Sequence, residues 1–227
     1  MLGIIGAMDV EVNLLKEEVL QKQVSTFAGI DFVCGKIENK DVCIAQCSPG
    51  KVNAALCTQL MIDKFDIEAI INIGIGCSLF ENVVIGDIVV ADELCQYDFD
   101  TSSIDGVKGL ILDGKTSIEA DGALSDSLIK IAEKNGERVH RGGIATGDTF
   151  IANGALKKTI NSEFGAICGE MEGGAIAQVC YINKIPFAAL RTISDGGDEN
   201  SQISYPKFKK ISAEKSSRLI QIGRAHV

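Results

Sequence analysis

Apolar residues come in short blocks, separated by polar stretches with a helical period. Leu2-Gly3-Ile4-Ile5-Gly6-Ala7-Met8 is nearly all apolar and small, as in a buried first strand. Asp9-Val10-Glu11 follows, then a helical pattern with Leu14, Leu15 and Glu18 near its start. Val24 to Phe27, Ile30 to Ile37 and Val42 to Cys47 read as strands joined by tight turns at Ala28-Gly29 and Asn39-Lys40, an antiparallel meander beside the first strand. Ser48-Pro49-Gly50-Lys51 turns the chain into a helix from Val52 to Phe65. Ala69 to Ile73 is a second buried strand, and Gly74-Ile75-Gly76-Cys77 after it reads as a small-residue turn open to close approach by a ligand. Gly86 to Ala91 is another strand. Residues 95–120 have little periodicity and read as an excursion that covers a site or meets a partner subunit.

Asp126 to Asn135 is helical, Val139 to Ala145 a strand, and Asn153 to Phe164 helical. The short apolar run Ala166-Ile167-Cys168 leads into Gly169-Glu170-Met171-Glu172-Gly173-Gly174 and a helix to about Asn183. Pro186 opens a strand from Phe187 to Ile193, and the last helix spans about Pro206 to Gln221. Strands alternating with helices predict an α/β fold. No linker or repeat divides residues 1–221, which read as one domain with a full core. Ile-Gly-Arg-Ala-His-Val at 222–227 is what a common sequencing adapter encodes in one reading frame, and is set apart as a non-native tail.

Composition narrows the function. The net charge of −9 argues against nucleic-acid backbones and anionic membranes as partners. No apolar run has transmembrane length, and no secretion signal precedes the first strand, so a cytoplasmic protein is expected. None of the eight cysteines form a C-x-x-C pair, and buried reduced thiols are expected. With two histidines, His140 and His226, a histidine metal site or a Ser-His-Asp triad is disfavoured, and neither a metal nor a cofactor is expected. Carboxylates must then move the protons. Gly50-Lys51 lacks the G-x-x-x-x-G-K-[ST] spacing of a phosphate loop.

Glu170 and Glu172 stand at a strand-to-helix junction, where open α/β sheets place ligands. Two acids so close repel unless something pairs with them, and a sugar diol is one such partner. A solvated helix N-terminus is the plain alternative. Glu11 and Asp195 also fall at the ends of apolar strands, where the plain alternatives are a first-turn acid and an N-cap or turn acid. If the strand ends converge, Glu11, Glu172 and Asp195 meet at one pocket. Such a trio suits acid–base chemistry on a neutral, hydroxyl-rich molecule, cleavage at an anomeric carbon among them.

Four segments carry a family likeness: Gly3 to Val12, Thr146-Gly147-Asp148-Thr149-Phe150-Ile151, Glu170-Met171-Glu172-Gly173, and Arg191-Thr192-Ile193-Ser194-Asp195. In order and spacing they resemble bacterial 5′-methylthioadenosine/S-adenosylhomocysteine nucleosidases, of the purine nucleoside phosphorylase superfamily. The resemblance runs from Gly3 to about Ser217. It implies a single-domain three-layer α/β fold with a mixed, partly barrel-like central sheet flanked by helices. It also implies a homodimer acting on a small nucleoside in the recycling of S-adenosylmethionine by-products. It assigns the attacking water to Glu11 and protonation of purine N7 to Asp195, helped by Ser194. Glu172 would hold the ribose hydroxyls, with Met171 on the sugar and Arg191 close by. Phe150 would stack on adenine and the Ile151 backbone would read its edge. Met8, Pro49 and Tyr205 would line the 5′-substituent pocket.

The chain departs from the pattern in places. Ile75-Gly76-Cys77 stands where Ser-Ala-Gly or Ile-Ala-Gly is common, so no catalytic role passes to Ile75. Ser48-Pro49 replaces Gly-Ile, Gly173-Gly174 loosens the helix start, and Tyr205 stands where Phe is frequent. A phosphorylase of the same superfamily would need an anion site near the ribose, toward which the sequence offers only Arg191. Nucleosidases for related nucleosides such as 5′-deoxyadenosine or aminofutalosine, and a non-catalytic nucleoside sensor, stay open.

Overall fold

A computed structural model describes the backbone of residues 1–223 and side chains as far as Leu219. In chain order the elements are β1 (Leu2–Gly6), α1 (Asp9–Glu18), β2 (Leu20–Phe27), β3 (Ile30–Ile37), β4 (Lys40–Gln46), α2 (Lys51–Lys64), β5 (Ala69–Ser78), β6 (Ile88–Gln96), α3 (Ser102–Asp105), β7 (Ser117–Glu119), α4 (Gly122–Lys134), β8 (Val139–Thr146), α5 (Gly154–Phe164), β9 (Cys168–Glu170), α6 (Gly173–Asn183), β10 (Phe187–Asp195) and α7 (Ser201–Gly223). Residues 224–227, most of the suspected tail and His226 with it, lie outside the described residues, whereas 222 and 223 continue the backbone of α7.

One mixed sheet organises everything. β5 lies parallel to β1 and to β10 and meets β9 antiparallel at its far end. β10 pairs with β6, β6 with β8, and β8 with β9, so these five strands close into a ring. Off the ring, β1 continues to β4, β3 and β2, the expected meander. Alternation along the strands feeds two larger cores and a smaller one around Cys77, Cys95 and Ala145. Ile5, Ile70, Val89 and Ala189 face the layer of α2 and α6, and Ile4, Ile71, Val90 and Leu190 face α1, α4 and α7. Each fully buried isoleucine contributes roughly 1.5–3 kcal/mol. This is the three-layer, partly barrel-like fold anticipated from the resemblance.

The structure corrects the sequence reading at several points. Gly74-Ile75-Gly76-Cys77 is not a turn; β5 runs through it to Ser78. The glycines are there because a β-carbon at Gly74 would stand 2.8 Å from Glu11 Oε1, and one at Gly76 would stand 2.6 Å from Cys168 Sγ. The second hairpin turn falls at Glu38-Asn39, with Glu38 at φ 53°. β6 extends to Gln96, and α7 starts at Ser201, with Pro206 inside it. The earlier start follows from local capping: Ser201 N–H bonds the Asp198 carbonyl at 2.9 Å, and Asp198 N–H bonds Ser201 Oγ at 3.0 Å. Cys34 and Cys43 are joined in a disulfide, where eight thiols were expected. The β3–β4 register places them directly opposite, a pairing no C-x-x-C spacing announces.

Candidate active site

Glu11 is the third residue of α1. A carboxylate there is favoured by the helix dipole and can turn back onto free N–H groups. Its Oε2 accepts from the N–H of Ala7 and of Met8, both at 2.8 Å, and its Oε1 accepts from Ile75 N–H on β5 at 3.1 Å. The first-turn reading and the pocket reading therefore both describe one buried carboxylate. Burial raises its pKa, against the Met8 N–H, the Arg191 charge and the N–H groups of Ile75 and Ala7.

β9 ends on Glu170, and Glu172 is the residue before α6. The two acids have different partners. Glu170 Oε2 accepts from Glu172 N–H at 3.0 Å, from Gly173 N–H at 2.7 Å and from Arg191 Nη2, while Thr146 Oγ1 donates to its Oε1. Glu172 Oε1 accepts one N–H, from Gly50 at 2.9 Å. Burial, then the charge of Glu170, pushes its pKa up to about 8, against Arg191 and that N–H.

Arg191 does not line the cavity. It is 1% exposed, and its guanidinium donates to Glu170, to the Asn72 side chain, and to the carbonyls of Asn72 (3.3 Å) and Leu190 (3.0 Å). A buried carboxylate needs a counter-ion, and Arg191 serves Glu170 from behind the wall. This corrects the expectation of Arg191 beside a substrate.

β10 delivers Ser194 and Asp195 at its C-terminal end. Ser194 Oγ donates to Asp195 Oδ2 at 2.9 Å, and Gly197 N–H donates to Oδ1 at 3.1 Å. Both side chains are buried. Glu11 and Asp195 follow strands of one direction, as expected. β9 runs against β5, so Glu172 reaches the same place through closure of the ring rather than along a shared parallel edge.

These groups surround one cavity. Met8, Glu11, Phe150, Ile151, Met171, Glu172, Ser194, Asp195 and Tyr205 all line it, with Pro49. Cys77 and Thr149, to which sequence reasoning assigned no role, line it too, as does Glu170, which it singled out only as the neighbour of Glu172 at the junction. Cys77 was hidden in the supposed turn. Thr146 and Asn72, which hold Glu170 and Arg191, gave no signal beyond Thr146 opening a quoted motif. Phe150 and Tyr205 form an edge-on pair with centroids 5.2 Å apart. Among the described residues no Lys, Arg or His lines the cavity, and no group of three or more His, Cys, Asp or Glu is arranged to hold a metal. No described helix is long and apolar enough to cross a membrane.

A family model for the phosphorylase superfamily matches residues 1–223. The chain belongs to that superfamily. Within the phosphorylase superfamily it is 37% identical over 220 residues to a 5′-methylthioadenosine/S-adenosylhomocysteine nucleosidase of Haemophilus influenzae (strain PittEE), covering 96% of each chain. Among solved structures it resembles a Helicobacter pylori nucleosidase variant with 5′-methylthioadenosine in the active site, at TM-score 0.95 and 32% identity, over 100% of this chain and 98% of that one. It is equally similar in shape to the futalosine hydrolase of Helicobacter pylori strain 26695, at TM-score 0.95 and 31% identity, over 100% of this chain and 97% of that one.

Proposed function

We propose that this chain is an N-ribosyl hydrolase that releases adenine from 5′-methylthioadenosine and S-adenosylhomocysteine. The observation that carries it is the meeting of Glu11, Glu172 and Asp195, from three separate segments, at one otherwise largely apolar cavity. Adenine is a poor leaving anion, so its N7 must take a proton as the C1′–N9 bond breaks. Asp195 gives that proton, and the Ser194 hydroxyl fixes which oxygen faces the base. Positive charge grows on the sugar, and Glu172, ionised when the ribose hydroxyls donate to it, stabilises that charge while Met171 covers the sugar face. Glu11, clamped by three N–H groups, orients a water toward C1′ and takes its proton. Phe150 stacks on adenine, and the Ile151 backbone meets the base edge. Met8, Pro49 and Tyr205 line the side that takes the 5′-thio group. The products belong to the recycling of S-adenosylmethionine by-products.

Adenine release from methylthioadenosine in phosphate-free buffer tests the reading. Release without phosphate is expected, and release only with phosphate would make the protein a phosphorylase. The absence of a cation among the described lining residues favours hydrolysis. The likeness to a futalosine hydrolase supports a second reading, a larger 5′-substituent, for which aminofutalosine is the comparison substrate.

We also propose a homodimer. Val52 (78% exposed), Leu56, Phe99, Ile104 (85% exposed), Val107 and Ile182 leave apolar surface uncovered. Their segments are tied together by Lys51–Asp98 at 2.5 Å and Asn183–Gln59 at 2.8 Å. Sedimentation equilibrium should give twice the chain mass.

A further inference from the structure

The peptide between Gly196 and Gly197 is held at both ends. Its N–H, that of Gly197, donates to Asp195 Oδ1 at 3.1 Å. Its carbonyl, that of Gly196, accepts from Lys157 Nζ at 2.7 Å. The N–H and the carbonyl of a trans peptide point in opposite directions, so fixing one fixes the other. Asp195 lines the cavity on one side and, on the other, an outer recess that it shares with Lys157, Gly196 and Ser78. Lys157 reaches that recess from the first turn of α5. A cation there opposes the helix dipole, so α5 itself gives no reason for it. The helix is tied to the same loop again where Gly154 N–H donates to Glu199 Oε1 at 3.0 Å. Glycine on both sides leaves this peptide free to turn over, and Gly197 already stands at φ 64°. Turned over, it would present its carbonyl to Asp195 Oδ1. A carbonyl only accepts, so it would hold the proton that Asp195 has to release. Lys157 opposes that reversal, and an ammonium on the carbonyl also polarises the peptide and strengthens its N–H as a donor.

We propose that Lys157 is a positioning residue for the general acid, holding the Gly196–Gly197 peptide in the orientation that gives Asp195 Oδ1 an N–H. This rests on the nucleosidase reading above. The test measures adenine release from methylthioadenosine by Lys157→Met, alone and on an Asp195→Asn background. Alone, the variant should lose about 3- to 10-fold in kcat with KM within about 2-fold, the range for one hydrogen bond. Lys157→Arg, whose guanidinium can donate to the same carbonyl, should recover most of the loss. On Asp195→Asn the loss should shrink below about 2-fold, because the acid that Lys157 serves is gone. Lys158→Met, at the exposed neighbouring position, is the control and should match the wild type. The Gly197 amide should exchange with solvent faster in Lys157→Met than in the wild type, a readout that needs no turnover. An unchanged kcat in Lys157→Met, a loss carried by KM alone, or an equal loss on both backgrounds overturns the proposal and leaves the nucleosidase reading standing. A wild type that releases no adenine overturns that reading and the proposal with it.

Discussion

Gly74→Ala is the change that most directly tests how Glu11 is held. The added β-carbon would stand 2.8 Å from Glu11 Oε1 and 3.3 Å from Cδ. Ordinary contact of carbon with oxygen begins at about 3.4 Å, so the carboxylate must give way by about 0.6 Å. It cannot do so freely, because Ala7 and Met8 hold the other oxygen at 2.8 Å. The bond that yields is the one from Ile75 N–H, already 3.1 Å long. Losing a charge-assisted hydrogen bond costs about 1.5–3 kcal/mol, which for a chain of this length lowers Tm by roughly 3–12 °C. The catalytic loss is larger in proportion. A misplacement of about 1 Å costs about 100-fold, so the smaller displacement here should lower kcat by roughly 10- to 100-fold. Adenine release at saturating methylthioadenosine, with a thermal melt of the same sample, measures both. Gly122→Ala, whose β-carbon meets nothing within 4 Å, is the control and should match the wild type. A folded Gly74→Ala enzyme with wild-type kcat would refute the placement of Glu11 in the chemistry.

Asp195→Asn should retain methylthioadenosine binding, followed by calorimetry, while turnover falls about 100-fold or more; unchanged turnover removes Asp195 from the mechanism. Glu172 has a pKa of about 8 in the folded protein, against 4.5 ordinarily. The stability tied to its retained proton is full below pH 4.5 and is lost as pH rises through about 8. Melting temperature should therefore drop between pH 5 and 9, and less in Glu172→Gln; parallel curves would show that Glu172 does not hold that proton. Arg191→Met strands the Glu170 carboxylate in the wall and should cost about 3–5 kcal/mol in urea unfolding, with Arg191→Lys recovering only part. A fully stable Arg191→Met protein would mean that Glu170 has another counter-ion.

The elements most legible in the sequence were those whose apolar period stands clear of its surroundings. β1, β10 and the helices before and after the central acidic stretch appear close to where the runs of Ile, Val, Ala and Leu place them. The acids at the strand ends were visible for the same reason. Long-range relations were not. Gly74 and Gly76 looked like a turn because glycine weakens strands, and the reason for them is a side chain 63 positions earlier and a thiol 92 positions later. Arg191 stood near the substrate only through the family resemblance, and only the fold shows that Glu170 claims it. The Cys34–Cys43 pair depended on a hairpin register that a one-residue error in the turn would have concealed.

Closure of the five-stranded ring has a consequence for motion. The strands that carry Glu170, Ser194, Asp195 and the Cys77 wall are bonded to neighbours on both sides, so none of them can peel away alone. Amide protons of 74–77 and 190–193 should exchange with solvent only through global unfolding. Those of Gly50, of 149–151 and of the first turn of α7 should exchange through small local openings. Phe150, Ile151 and Tyr205, which line the cavity, belong to those outer segments, so motion that admits a nucleoside or frees a product falls to them and not to the ring.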